Sequence, residues 1–71
     1  MRFKITSTRY PNQVFLIEAE NLKKALKNEE HHIASGLNRM GSRDWVVNCG
    51  TCLKIFKLGG ELHDTITLIP V

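Results

Sequence analysis

Long apolar runs are missing from this sequence. The longest, Val14–Ile17, is four residues, against the roughly 20 needed to cross a bilayer as a helix. After Met1 the chain goes directly into Arg2-Phe3-Lys4-Ile5, an alternation with no apolar stretch of signal-peptide length. The expected location is therefore the cytoplasm, with no membrane partner. Cysteine is also scarce. Cys49 and Cys52 are the only two, so no disulfide framework is available, and a reducing compartment would keep both as free thiols.

Catalytic motifs are absent too. There is no Gly-x-Ser-x-Gly elbow and no pair of carboxylates brought together by spacing alone. Gly59-Gly60 is followed by Glu61-Leu62, not by the Lys-Ser or Lys-Thr of a phosphate-cradling loop. Short chains also have little room for a shaped pocket that excludes water. The expectation is a protein that is not an enzyme, with no cofactor and no evident small-molecule substrate.

What remains is an ordinary globular composition, 42% apolar and 24% charged over 71 residues, outside the disordered class. Residues 1–71 are read as one domain. A lone core of this size rarely supplies more than about 3–5 kcal/mol, so added support from a partner or a second copy is expected.

Residues 2–8 alternate with period two and read as a half-buried strand. Pro11-Asn12 is a turn signal. Gln13–Glu18 follows as a second strand, apolar at Val14 and Leu16 as well as at Phe15 and Ile17. Apolar residues on both faces predict a central strand covered on both sides. Asn21 is a helix N-cap candidate, and Leu22, Ala25, Leu26 and Ile33 follow at helical spacing. The helix is expected over 21–28. Its continuation towards Gly36 is open, because Glu29 falls on the apolar stripe, and Ser35–Arg43 reads as a loop. Asp44–Cys49, Cys52–Lys57 and Leu62–Ile69 read as three further strands, separated by turns at Gly50-Thr51 and Gly59-Gly60. Pro70 fits only an edge or an end. The fold class is α+β: a small antiparallel sheet of four to five strands with one main helix on one face, in the order β-β-α-β-β-β.

A single helix covers one sheet face. Residues 53–58 and 66–69, like strand two, carry apolar side chains towards both sides, which leaves a surface to be covered by a second copy (a homodimer) or by a protein. The strand Thr65–Ile69 is expected at the sheet edge. The leading functional expectation is a non-catalytic binding or regulatory module of adaptor or inhibitor type with a protein partner. Trp45, Arg39 and Arg43, in and beside the irregular segment, are the candidate protein-binding residues.

The alternative is non-specific nucleic-acid binding. Net charge is +3 with a pI near 9.1, and Arg2, Lys4, Lys23, Lys24, Lys27 and Lys54 could gain affinity by releasing counterions if they share a side. Phe3, Phe15 and Phe56 read as core residues, not as a base-stacking platform. A second alternative is a zinc-stabilised module, since Cys49-Gly-Thr-Cys52 could provide half of a tetrahedral site with His31, His32 or His63. Adjacent His31 and His32 diverge by about 100° on a helix, and no second CxxC exists. No metal is therefore expected, and the pair reads as a turn flanked by two thiols.

Overall fold

A computed structural model describes residues 1–71. The elements are β1 (Arg2–Ser7), β2 (Phe15–Glu18), α1 (Leu22–Arg39), β3 (Trp45–Asn48), β4 (Cys52–Phe56) and β5 (Leu62–Pro70). All five strands form one antiparallel sheet in the order β2-β1-β5-β4-β3. The helix lies on one face, giving the expected α+β architecture.

Alternation along the strands builds the core. Phe3 and Ile5 of β1, Leu53 of β4, and Ile66 and Leu68 of β5 point to the helix and bury against Ala25 and Leu26. Their neighbours in sequence point the other way. Leu53 and Ile55 face the helix while Lys54 and Phe56 do not; Ile66 and Leu68 face it while Thr67 and Ile69 do not. Residues 53–58 and 66–69 are thus less two-sidedly apolar than expected, because lysine and threonine occupy the second face.

Two strands change place relative to the sequence reading. Strand β2 is an edge, paired only to β1, and Phe15 and Leu16 are each 60% exposed. An apolar run reports burial capacity, not position, and here β5 takes the central slot beside β1. At nine residues, β5 is long enough to pair β1 on one side and β4 on the other, so it is not an edge. Pro70 falls at its end, opposite Phe3.

The helix starts where expected. The Asn21 side chain accepts from the Lys24 N–H at 2.9 Å, and Lys24 pairs with Glu20 one turn before it. It runs 18 residues to Arg39, so residues 35–39 are helical where a loop was expected. Ile33 and Leu37 continue the apolar stripe past Glu29, and both are half-buried. Gly36 weakens this turn without breaking it. The helix ends at Gly41, whose φ of +68° is left-handed; the Ser42 N–H then closes onto the Leu37 carbonyl at 2.9 Å.

Candidate functional site

The helix comes closest to β3 and makes fewer contacts with β5 and β4. It lies towards the β3 side of the sheet, and a wedge stays uncovered at the end of β1, the start of β2 and the start of β5. The residues that border this wedge are held by Asp64.

Asp64, Ile66 and Leu68 share the period-two phase of β5, which puts a carboxylate on the buried side. Asp64 is 5% exposed. It accepts from the Ser7 hydroxyl at 2.6 Å, the Thr8 hydroxyl at 2.9 Å and the Arg9 N–H at 3.1 Å. The Tyr10 N–H donates to Ser7 Oγ, and the Thr65 N–H to Thr8 Oγ1. One carboxylate thus anchors the chain where it leaves β1. Burial pushes its pKa up, but the hydrogen bonds from Ser7, Arg9, Thr8 and Thr65 outweigh burial and hold it below the ordinary 3.8. At neutral pH Asp64 is a charged acceptor whose oxygens are occupied by donors, and its lowered pKa makes it a weak proton acceptor.

The wedge forms a pocket of about 250 Å³ lined by Ile5, Tyr10, Phe15, Ile33, Ile55 and Ile66, with Ser7, Gln13, Glu29 and Asp64 among its polar members. Phe15 and Tyr10, 60% and 53% exposed, stand at its mouth. Glu29 occupies the helix position between Leu26 and Ile33 and takes part in neither ion pair of the molecule. No lysine or arginine lines the cavity. Its character is apolar with negative charge.

The opposite face of the sheet has no helix over it. Register places Arg2, Lys4 and Thr6 of β1, Leu16 and Glu18 of β2, and Thr65, Thr67 and Ile69 of β5 there. Cys52, Lys54 and Phe56 of β4 and Trp45 and Val47 of β3 complete it. Trp45 stacks on Phe56, ring centroids 5.8 Å apart and planes 22° from parallel. Of the three phenylalanines only Phe3 belongs to the buried core; Phe15 stands at the wedge and Phe56 on the open face. Aromatic type gave no clue to the side on which each ring falls.

The basic candidates do not share a face. Arg2, Lys4 and Lys54 lie on the open sheet, whereas Lys23, Lys24 and Lys27 are exposed on α1 across the molecule. Arg2 is paired to Glu18 at 3.3 Å. Among the protein-binding candidates, Trp45 joins the open face at 41% exposure. Arg39 ends the helix and Arg43 follows it in the connection, both exposed. No hydrogen bond links those three. Cys49 and Cys52 are free thiols across the β3–β4 turn, where the Cys49 N–H reaches the Cys52 carbonyl at 3.0 Å. No three His, Cys, Asp or Glu side chains converge to hold a metal ion, and no helix is long and apolar enough to cross a membrane.

Sequence reasoning missed the wedge and Asp64. The usable signal was a carboxylate in phase with Ile66 and Leu68, together with a hydroxyl pair, Ser7-Thr8, ending the first strand. Compared with protein-family models, with curated proteins and with solved structures, the chain matches none of them.

Proposed function

We infer that this chain is a non-catalytic binding module of adaptor or inhibitor type, and that it receives a protein partner in the wedge beside α1. The observation that carries this reading is the apolar pocket, open to solvent and bordered by two exposed aromatics. Its volume, about 250 Å³, falls below the roughly 300–1,000 Å³ of small-molecule sites. It suits a large side chain of a partner, the anchor arrangement that concentrates binding energy at protein interfaces. An apolar centre with Glu29 and Gln13 at its margin also has the anatomy of such an interface. The unpaired Glu29 calls for a cationic neighbour beside the anchor.

The test is selection from a random peptide library on the immobilised protein. Enriched peptides should carry a large apolar residue next to lysine or arginine. Phe15→Ser and Glu29→Lys should each weaken the winning peptide by about tenfold or more, the scale of a hot-spot contact. Both variants should keep the parent melting temperature, because these side chains are not in the core. Peptides without that pattern, or binding indifferent to both variants, would overturn the assignment. A mass that doubles with concentration in the parent and not in Phe15→Ser would replace the foreign partner with a second copy.

A further inference from the structure

The open face of the sheet has a different chemistry from the wedge, and we propose that it binds single-stranded nucleic acid, along a diagonal track from Lys4 to the Trp45–Phe56 stack. Its charge is the first argument. Of the strand carboxylates, Asp64 faces the helix and Glu18 is taken by Arg2, so Lys4 and Lys54 are the uncompensated charges of this face. On the helix only Lys24 is paired, to Glu20, but Glu29 and Glu30 on the same element dilute the charge of Lys23 and Lys27. A phosphodiester strand fits the open face and gains affinity there through counterion release.

The arrangement of polar and apolar groups is the second argument. Protein interfaces have an apolar centre and a polar rim. Here the central strands present Lys4, Thr6, Thr67, Thr65 and Lys54 in the middle, with Ile69, Cys52 and Phe56 towards the strand ends and Leu16, Val47 and Trp45 on the edge strands. A protein docking on this face would desolvate lysines at its centre. A nucleic-acid strand would meet those lysines and hydroxyls with phosphate and sugar oxygens, which is where most such contacts go.

Geometry selects an unpaired strand. Lys4 lies opposite Ile69 and Lys54 opposite Thr65, so the two cations are offset by about 13 Å along β5 and, on the strands either side of it, by about 10 Å across the sheet. From Lys54 the track passes Val47 to Phe56 and Trp45 at the β3 edge. There the stacked rings offer a surface for a base, a contact that tolerates any sequence because every base has a π-face. A duplex has its bases stacked inside, and its major groove admits a helix or a two-stranded ribbon, not the face of a five-stranded sheet.

The experiment is fluorescence anisotropy with labelled oligothymidylate and oligouridylate of about 12 nucleotides, within the roughly 4–16 nucleotide footprint of single-strand binders. A duplex of equal length and poly-glutamate serve as competitors. Both single strands should bind, steeply weakened by salt, and should quench the emission of Trp45, the only tryptophan. The double variant Lys4→Ala/Lys54→Ala should lower the log–log salt slope by about 1.4, at about 0.7 for each lost single-strand phosphate contact. Lys23→Ala/Lys24→Ala/Lys27→Ala should leave affinity within about twofold, since those charges lie on the far side. The proposal fails if neither oligonucleotide binds, if the helix variant is the one that loses binding, or if Trp45 emission is unchanged at saturation. Competition by duplex or poly-glutamate equal to that by the single strand would also overturn it, poly-glutamate pointing to an acidic protein instead. The quench reads the parent protein and does not depend on any variant folding.

Discussion

The two faces of this sheet were built from the same strands, yet they solve opposite problems. On the helix side, Phe3, Leu26 and Leu53 are excluded from water, and the wedge is where that exclusion stops short. On the other side, threonine and lysine on the central strands share a helix-free face with Leu16, Val47, Trp45 and Ile69. Strand β2 shows the contrast within four residues. Phe15 turns to the wedge and Leu16 to the open face, equally exposed, but one borders an apolar pocket and the other neighbours Lys4. Exposure alone does not define a binding surface; the company kept by an exposed side chain does.

The comparison can be broken most severely in the core. Phe3→Ala should cost about 3–5 kcal/mol and Leu26→Ala about 2–5 kcal/mol, comparable to the whole stability expected of so small a domain. Urea denaturation followed by circular dichroism should find both unfolded or nearly so at ambient temperature. Thr67→Ala, on the same strand as Leu68 but facing the open side, should stay within about 1 kcal/mol of the parent. Equal losses at Phe3 and Thr67 would mean that the open face is covered in solution.

Asp64 comes next. Asp64→Asn replaces an acceptor-only group with one that carries donors, facing the hydroxyls of Ser7 and Thr8 and the Arg9 N–H. The loss should be about 1–3 kcal/mol. The sign of the pH dependence follows from the lowered pKa. The stabilisation is complete above the unfolded carboxylate value, about 3.9, and disappears as pH falls through the lower folded value. Melting temperatures across the acid range should therefore fall less steeply in Asp64→Asn than in the parent. A parallel decline in the two proteins would remove Asp64 from the account.

Smaller effects separate the two sides of β2. Phe15→Ser and Leu16→Ser should each change stability by no more than about 1 kcal/mol, as surface positions do. Of these two, only Phe15→Ser should weaken binding of the selected peptide by about tenfold or more, measured by titration calorimetry. Smallest of all, Gly36→Ala should raise stability by roughly 0.5–1 kcal/mol. A Cβ at Gly36 meets no atom within 4 Å, and its position is helical. A decrease would show that residues 35–39 are not held in the helix.

Much of the fold was legible because local chemistry and global position agree along most of the chain. Asn21 caps the helix, and the β3–β4 and β4–β5 turns contain Gly50 and Gly60 with φ of +86° and +88°. The order β-β-α-β-β-β needs nothing more than these signals. Strand placement was a different matter. Whether Phe15-Leu16-Ile17 or Thr65–Ile69 takes the centre depends on which partner pairs with β1, a long-range choice that no window of sequence records. The helix end was obscured by Glu29 and Gly36, two residues that weaken a stripe continued by Ile33 and Leu37. The wedge was hidden for the same reason as the strand order. It depends on where α1 lies over the sheet, so its lining residues come from four strands, the helix and the β1–β2 turn and have no shared pattern in the sequence.

The pairing of β1 with β5 has a kinetic consequence. Phe3 is opposite Pro70 and Ser7 opposite Ile66, so the middle of the sheet is formed by segments near the two ends of this sequence. Each hairpin and the helix can form early from neighbours in the chain, but alone they bury little of the core. Joining β1 to β5 closes the largest loop available, with an entropic cost that grows with loop length, and slows the search as long-range contacts generally do. Refolding of residues 1–71 should therefore be limited by a single late event, the docking of β5 beside β1. Substitutions at Phe3 or Leu68 should then act mainly on the folding rate; an effect confined to the unfolding rate would show that another event limits folding.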